Sequence, residues 1–242
     1  MRILTMLMAL MLGLLTVPGE ENSSLAKKNG YVINLDRAEK LEKMTYSSLF
    51  SKAGIIVLED TDESLLGKVD KLEVCDNNLY VLEKGRGLFL FNKQGKFIKM
   101  IGRQGKGPGE YIDPDDISID RENKKIYVLD SQTQNVLKYS GNGTFESSFK
   151  LENKGTRSTF IQPFKNALYT NLYTFDKSGK RFLLSKVDVT NGKRISFQFE
   201  ASQYNKGWNE LFSTDQHTFI SGPTGNPKFM QIFMDTIFEI TP

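Results

Sequence analysis

The sequence has very few of the residues on which metal centres and covalent cross-links depend. Cys75 is the only cysteine and His217 the only histidine among 242 residues. A lone cysteine excludes an intrachain disulfide and a thiolate zinc cluster, and a lone histidine leaves no repeated imidazole ligand. Nucleophile-elbow and zincin motifs are also missing. We therefore predict no metal, no cofactor and no catalytic residue, and we expect Cys75 to be a small buried hydrophobic residue.

An excess of charge of one sign is also missing. The chain has 32 basic and 29 acidic residues, a formal net charge of +3, and these residues are scattered along its whole length. Proteins that bind nucleic acid usually concentrate lysine and arginine on one face or one helix. The composition therefore predicts no nucleic-acid partner.

A long apolar run is found at the N-terminus. Arg2 precedes an apolar stretch from Ile3 to Val17, and Val17-Pro18-Gly19 is similar to the sites that signal peptidase cleaves. The run is shorter than the ~20 residues that cross a bilayer. We predict that residues 1–19 are a secretory signal peptide and that the protein is exported to the periplasm or the extracellular space. An uncleaved anchor is the alternative, and membrane contact is expected only through this segment.

After residues 20–53, which we interpret as a linker and lead-in segment, the chain repeats itself. Short apolar strands alternate with turns of Gly, Asn and Asp. The tyrosines of the second strands are spaced by 47 and 42 residues, at Tyr80, Tyr127 and Tyr169. Four strands in about 40–50 residues form one blade of a β-propeller. We predict an all-β fold in which residues 54–242 form a β-propeller of four-stranded antiparallel blades, with Val128 and Leu137 buried between sheets.

The junction between the first two repeats carries a resemblance to a known family. The string GRQGKGPGEY spans Gly102 to Tyr111 and is followed by Pro114 and by DISID. With the upstream blade LYVLEKGRGLFLFNKQGKFI, it resembles NHL-like repeats and, more closely, the six-bladed β-propeller family abundant in the envelopes of Bacteroidetes. The resemblance runs from about Tyr31 to the last residue. It implies a six-bladed type of propeller and an envelope or periplasmic binding module, and it implies no general activity.

The resemblance also implies a ring larger than the repeats of this chain supply. Family members generally have room for six blades, whereas about four blade-lengths follow Gly54. We expect a truncated or split member, or a ring that closes by association. The predicted ends of such an open arc are the strands near Ile55–Leu58 and Ile237–Ile240. Because unpaired strand edges favour pairing with another chain, we expect self-association through these two ends.

The glycine-rich junction is the candidate site. A structural motif is predicted for its glycines and prolines, which are Gly102, Gly105, Gly107, Pro108, Gly109 and Pro114. A phosphate-binding loop is disfavoured, because Lys106 is followed by Gly-Pro and a strand rather than by Ser or Thr and a helix. The segment is then either a connection between blades, anchored by Glu110 and Tyr111, or a rim loop that contacts a ligand. For the rim loop, the predicted ligand-binding residues are Arg103, Lys106, Glu110 and Tyr111.

An acidic run lies at and after the end of the junction. It comprises Asp113, Asp115, Asp116 and Asp120. Calcium is disfavoured, because the EF-hand spacing with its glycine and closing glutamate is missing. Aspartates beside strands commonly form turns, so a structural role is predicted for this run.

Three functions are compatible with these observations. The favoured one is a non-enzymatic binding or scaffold module of the cell envelope, whose partner is an unknown protein, peptide or glycan. The first alternative is a propeller-type lyase or hydrolase with its active site in the central channel. That enzyme would need His, Asp or Glu at equivalent positions of the blades, where this chain has tyrosine and aliphatic residues. The second alternative is a truncated remnant without independent function.

Overall fold

A computed structural model describes Lys43, residues 45–174, 180–204, 218–222 and 225–231, Met234 and residues 236–242. The chain divides into two compact units, one of residues 1–53 and 236–238 and the other of Gly54–Asp235 and Glu239–Pro242. The smaller unit contains a short helix, α1 (Tyr46–Leu49). The predicted signal peptide at residues 1–19 and His217 lie outside the described residues.

Two consecutive four-stranded sheets form the first and second blades. The first blade contains β1 (Lys71–Cys75), β2 (Asn78–Glu83), β3 (Gly87–Asn92) and β4 (Phe97–Ile101). The second blade contains β5 (Pro114–Asp120), β6 (Lys125–Asp130), β7 (Asn135–Ser140) and β8 (Phe145–Lys150). Each strand pairs antiparallel with the next one along the chain, so both blades are simple meanders.

The third blade keeps this order, with an insertion between its second and third strands. Its strands are β10 (Ile161–Phe164), β11 (Ala167–Asn171), β13 (Phe182–Asp188) and β14 (Arg194–Glu200). The inserted strand β12 (Tyr173–Thr174) pairs with β9 (Thr156–Arg157) in a separate two-stranded sheet. After the helix α2 (Ala201–Tyr204), the last sheet contains β15 (Phe219–Ile220), β16 (Lys228–Phe229) and β17 (Phe238–Glu239), in that order.

The tight turn between the third and fourth strands of the first blade requires glycine. Gly95 has a φ of 85°, in the left-handed region that residues with a Cβ atom rarely adopt. A Cβ atom at this position would lie 2.0 Å from the carbonyl oxygen of Val57. Gly143 occupies the equivalent turn of the second blade with a φ of 78°. The regular glycine spacing in the sequence therefore reflects the repeated turn.

The first strands of the three blades are neighbours. β5 packs against β1 on one side and against β10 on the other, as the inner strands of adjacent propeller blades do. The predicted all-β propeller of four-stranded antiparallel blades is confirmed by this arrangement. The six-bladed type stays a prediction.

The first interface, between the first and second blades, has an apolar core. Its buried side chains are Cys75, Tyr80, Leu82, Leu88, Leu90, Ile101, Tyr111, Ile117, Ile119, Ile126, Val128, Leu137 and Tyr139. Val128 is 0% exposed and Leu137 is 1% exposed, so the burial predicted for both is confirmed. Burial also raises the pKa of the Cys75 thiol, which agrees with its expected role as a small buried residue.

The second interface, between the second and third blades, combines apolar packing with a row of polar groups. Its apolar side chains are Tyr127, Leu129, Val136, Phe149, Leu151, Ile161, Leu168 and Val187. The guanidinium of Arg194 donates to the hydroxyl oxygens of Thr170, at 3.0 Å, and of Ser185. It also donates to the Glu152 carbonyl oxygen at 3.0 Å and to the Ser158 hydroxyl at 3.4 Å. Burial lowers the pKa of Arg194 to about 10, so the group remains charged at neutral pH.

One buried carboxylate connects all three blades. Asp116 is 0% exposed, and its Oδ1 atom accepts a hydrogen bond from Lys71 Nζ of the first blade at 2.7 Å. Its Oδ2 atom accepts from the Ile161 backbone N–H of the third blade at 2.8 Å. The charge and both oxygens are thus paired, as a buried carboxylate requires.

Candidate functional site

Two connections meet at one end of the first two blades. In an antiparallel meander, the β2–β3 turn at residues 84–86 and the β4–β5 connection at residues 102–113 lie at the same end. A hydrogen bond links them, because the Gln104 side-chain amide donates to the Gly85 carbonyl oxygen at 2.9 Å. We call this end of the blades the rim.

The glycine-rich junction at the rim is held by hydrogen bonds between its own residues. The Glu110 carboxylate accepts hydrogen bonds from the Gly107 backbone N–H at 2.8 Å and from Arg103 Nε at 2.6 Å. These bonds, first the Gly107 amide and then Arg103, lower the pKa of Glu110. The backbone N–H of Gly105 donates to the Tyr111 carbonyl oxygen at 3.0 Å. Glu110 therefore holds the shape of the loop.

Tyr111 anchors the junction to the first interface. It is 1% exposed, and its hydroxyl accepts from the Leu88 backbone N–H at 3.2 Å and donates to the Ile101 carbonyl oxygen at 2.9 Å. Burial raises the pKa of this phenol. Close packing also requires glycine at position 109. Gly109 has a φ of 74°, and a Cβ atom there would lie 2.9 Å from the Phe145 ring. These contacts are those expected of a connection between blades.

A β-bulge next to the junction separates two neighbouring aspartates. The pairing of β5 with β6 shifts between Pro114 and Asp116, so Asp115 is the extra residue. Asp116 is directed into the connection between the three blades, whereas Asp115 lies opposite Lys84 of the β2–β3 turn. Lys84 Nζ and Asp115 Oδ1 are 3.7 Å apart, which is an ion pair but longer than a hydrogen bond.

The surroundings of Asp115 contain charges of both signs. Burial raises the pKa of Asp115, Lys84 and Arg157 act against this shift, and Asp113 and Asp130 add to it. Within the described part of the chain, Asp115 accepts no hydrogen bond, and Lys84 is its ion-pair partner. We call Lys84, Asp113, Asp115 and Arg157 the rim cluster.

The neighbouring Asp130 differs from Asp115 because both of its oxygens are used. Oδ2 accepts from the Ile112 backbone N–H at 2.7 Å and Oδ1 from the Thr133 backbone N–H at 3.1 Å. Arg157 Nη2 donates to the Ser131 carbonyl oxygen at 2.8 Å. Within the described part of the chain, the partly buried carboxylate of Asp115 therefore has unused hydrogen-bonding capacity.

The predicted ligand-binding residues occupy different environments. The Arg103 side chain is 81% exposed although it pairs with Glu110, and Lys106 is also exposed. Glu110 is engaged by its own loop, and Tyr111 lies in the core. Ligand contact by these four residues stays a prediction.

Lys84 and Arg157 are not among the residues predicted from the sequence, and Asp115 is predicted only as one member of an acidic run. The repeat pattern could have predicted that Lys84 lies near the junction. A turn between the second and third strands of a blade must lie at the same end as the connection to the next blade. The bulge that separates Asp115 from Asp116 has no comparable sequence signature.

The acidic run does not form a metal-binding cluster among the described residues. Within the described ranges, no group of three or more His, Cys, Asp or Glu side chains is arranged to hold a metal ion. Asp120 accepts from the Asn123 backbone N–H at 3.0 Å, which is the expected role of a turn-forming aspartate.

The fold and the rim define a β-propeller protein with a charged candidate binding surface at one end of its blades. The chain belongs to the DUF4934 family, described as a domain of unknown function, whose pattern matches residues 30–242. A comparison with curated proteins found no match.

Solved structures are similar to parts of this chain to different degrees. A "putative exported protein" of Bacteroides fragilis NCTC 9343 is similar with a TM-score of 0.60 and 22% identity, over 77% of this chain and 51% of that chain. This chain therefore spans about half the length of that protein. Glutaminyl cyclase of Myxococcus xanthus has a TM-score of 0.44 and 12% identity, with 69% of each chain covered. A member of the DUF4221 family from Bacteroides vulgatus has a TM-score of 0.38 and 11% identity, with 48% of this chain and 38% of that chain covered.

Proposed function

We propose that the chain is a non-enzymatic binding module of the cell envelope and that it binds its ligand at the rim cluster. The observation that carries this proposal is the long ion pair between Lys84 and Asp115. These two groups come from different blades and are partly buried, with side chains 35% and 22% exposed. A partly desolvated carboxylate without a hydrogen-bond donor contributes little to folding, whereas it is well suited to accept a donor from a ligand.

The charges of the rim cluster restrict the ligand to a polar one. A hydroxyl or ammonium group that reached Asp115 would add a charge-assisted hydrogen bond of about 2.7–2.9 Å to the existing 3.7 Å ion pair. Lys84 and Arg157 supply positive charge for an acidic or carbonyl group of the same ligand. Peptides and glycans, the predicted partners, both carry such groups.

The cell envelope is part of the same proposal. The similar protein of Bacteroides fragilis is described as exported. Across the part of the chain that the structure describes, no helix combines the length and hydropathy needed to cross a bilayer. We propose a periplasmic or extracellular location, and N-terminal sequencing of the natural product is expected to begin near Glu20.

Binding is tested by affinity capture from an envelope extract with the immobilised protein, followed by mass spectrometry of proteins and glycans. The wild type is compared with the double variant Lys84→Met/Asp115→Asn. The matched control is Lys93→Met/Asp62→Asn, because Lys93 lies in the β3–β4 turn at the opposite end of the first blade and Asp62 is exposed. Thermal melts of all three proteins establish that they are folded.

We expect the wild type and the control to retain the same molecule and the rim variant to lose it. Equal retention by all three proteins would contradict binding at the rim cluster. Turnover of the captured molecule by the wild type would instead support the enzyme alternative.

A further inference from the structure

The rim continues from the first two blades onto the third. In a four-stranded meander, the connection that follows the fourth strand lies at the same end as the connection between the second and third strands. The β8–β10 connection and the β11–β13 connection therefore lie at the rim, together with the β4–β5 connection. The last residue of β14, Glu200, lies there as well.

Three ion pairs on these segments share one arrangement. They join Arg103 Nε to Glu110 Oε1 at 2.6 Å, Lys154 Nζ to Glu152 Oε1 at 2.7 Å and Lys180 Nζ to Glu200 Oε2 at 3.0 Å. In each pair the cationic side chain is much more exposed than the acidic one, at 81% against 17%, 84% against 31% and 72% against 23%. The carboxylates are thus covered, and the cations extend into solvent.

Ion pairs at the opposite end of the blades differ from this arrangement. The side chains of Lys124 and Asp76 are 69% and 61% exposed. Lys165 is less exposed than its partner Glu122, at 52% against 69%. Exposed cations over covered carboxylates are therefore a property of the rim pairs and not of every surface ion pair in this chain.

The second oxygen of each rim carboxylate is held by a donor that is not one of these cations. Glu110 accepts from the Gly107 backbone N–H at 2.8 Å, Glu152 from the Arg194 backbone N–H at 3.3 Å, and Glu200 from the Ser202 hydroxyl at 3.0 Å. The position of each carboxylate is thus fixed independently of its cation.

The cations keep hydrogen-bond donors that no carboxylate uses. Ammonium and guanidinium groups have more N–H donors than one carboxylate oxygen can accept. Among the residues that the structure describes, Lys154 and Lys180 each contact one carboxylate oxygen, and Arg103 donates from Nε. Lys106 is exposed in the same connection as Arg103. These four side chains therefore present positive charge and unused donors at the rim.

Amide side chains accompany the cations. Gln104, Gln132 and Asn153 are exposed in the β4–β5, β6–β7 and β8–β10 segments. In the described part of these three segments, no large apolar side chain is exposed. Amides bind hydroxyl groups as donors and as acceptors, whereas binding to a lipid surface depends on apolar side chains that enter it. The chemistry of the rim fits a hydroxylated anion better than a membrane.

We propose that the rim binds an acidic polysaccharide through Arg103, Lys106, Lys154 and Lys180. Its carboxylate or sulfate groups accept charge-assisted hydrogen bonds from these cations, and its hydroxyl groups bind the neighbouring amides. Cations that recur from one connection to the next suit a polymer that repeats its own charge. The inference goes beyond the proposed function, because this contact needs neither Lys84 nor Asp115.

The test is the binding of fluorescently labelled polygalacturonate to the full chain, measured by fluorescence anisotropy at a series of NaCl concentrations. The rim variant is Arg103→Gln/Lys154→Gln/Lys180→Gln. The matched control is Lys93→Gln/Lys124→Gln/Lys165→Gln, which removes the same number of positive charges from exposed turns at the opposite end. Unlabelled polygalacturonate, dextran, phosphatidylglycerol vesicles and duplex DNA serve as competitors, and thermal melts report whether each variant is folded.

We expect the wild type and the control to bind polygalacturonate, more weakly as salt rises, and the rim variant to bind on the order of tenfold or more weakly in dissociation constant. Unlabelled polygalacturonate is expected to compete best. Failure of the wild type to bind, or equal weakening in the folded rim variant and the control, would overturn the proposal. Vesicles or DNA that competed as strongly as polygalacturonate would overturn an acidic polysaccharide as the partner.

The variant Lys84→Met/Asp115→Asn separates this inference from the proposed function. It changes no residue of the four-cation surface and leaves the net charge unaltered. We expect it to bind polygalacturonate as the wild type does. Loss of polygalacturonate binding in this variant, when folded, would overturn a contact that is independent of Lys84 and Asp115.

Discussion

The two interfaces between blades are built on the same sheet register but differ in chemistry. The first interface has a core of aliphatic side chains and tyrosines and two ion pairs between blades, Lys71–Asp116 and Glu73–Arg121, whereas the second contains the buried cation Arg194, which is held by hydroxyl and carbonyl oxygens. Apolar faces tolerate many partners, but a buried guanidinium is stable only where its hydrogen-bond acceptors are in place. The comparison teaches that the repeat specifies the shape of a blade, while a few polar contacts, such as those of Asp116 with Lys71 and Ile161, join one blade to the next.

The largest effect is expected at the residue that takes part in both interfaces. Asp116→Ala would leave the partly buried ammonium of Lys71 with its longer, 3.9 Å ion pair to Glu73 and the Ile161 N–H without an acceptor. Breaking a buried pair by removing one partner costs about 3–5 kcal/mol. Urea unfolding is expected to show this loss, and Glu122→Ala, at an exposed ion pair, serves as the control with little change. A similar stability for both variants would show that the blades do not depend on this connection.

Truncation of one aliphatic residue in each interface is expected to have the next largest effect. Leu137 in the first interface and Leu168 in the second are 1% and 0% exposed. Leu137→Ala and Leu168→Ala are each expected to lower the free energy of unfolding by about 2–5 kcal/mol, through lost burial and a residual cavity. Thermal and urea unfolding of the two variants measure it. If only one of them destabilised the protein, the blades would not share one cooperative core.

The polar row is expected to have a smaller effect, confined to the second interface. Arg194→Met keeps much of the side-chain volume but removes the donors that reach Thr170, Ser185 and the Glu152 carbonyl oxygen. The Thr170 and Ser185 hydroxyls remain hydrogen-bonded to each other, whereas the Glu152 carbonyl oxygen loses this donor, and an acceptor left unpaired costs about 1–3 kcal/mol. Hydrogen exchange should show the loss of protection in β11 and β13 and not in β2 and β3. Equal loss in all four strands would contradict a local role.

The smallest effect is a dependence of stability on pH at the first interface. Burial raises the pKa of Glu73 above its ordinary value of 4.5, Lys71 and Arg121 act against this shift, and Asp116 adds to it. The folded state thus holds this proton more tightly than the unfolded chain does, and ionisation of Glu73 lowers stability as pH rises through the raised pKa.

Glu73→Gln removes this titration. The free energy of unfolding of the variant minus that of the wild type is therefore expected to be constant below pH 4.5 and to increase above it. Urea unfolding at a series of pH values measures the difference. A difference that decreased above that pH would mean that the ion pair with Arg121, at 3.2 Å, outweighs the burial of Glu73.

The blade architecture could be predicted from the sequence because it depends on local patterns. Alternating apolar residues and turn glycines such as Gly95 and Gly143 repeat at a blade spacing, and each signal acts within a few residues. The buried positions of Val128 and Leu137 follow from the same periodicity.

The rim cluster and the connection at Asp116 could not be predicted in the same way. Asp116 contacts Lys71 of the first blade and Ile161 of the third. No local sequence pattern around these residues predicts either contact. The different roles of Asp115 and Asp116 depend on a one-residue bulge, which reverses the direction of a side chain without a distinctive sequence pattern.

The most direct test of this account measures stability and binding together for these two neighbouring aspartates. Asp115→Asn and Asp116→Asn are nearly isosteric changes at adjacent residues, and each removes one negative charge. We predict that Asp115→Asn retains the free energy of unfolding of the wild type and loses the molecule captured from the envelope extract, whereas Asp116→Asn is strongly destabilised. Undiminished capture by Asp115→Asn, together with a loss of stability equal to that of Asp116→Asn, would show that Asp115 serves the fold and not a ligand.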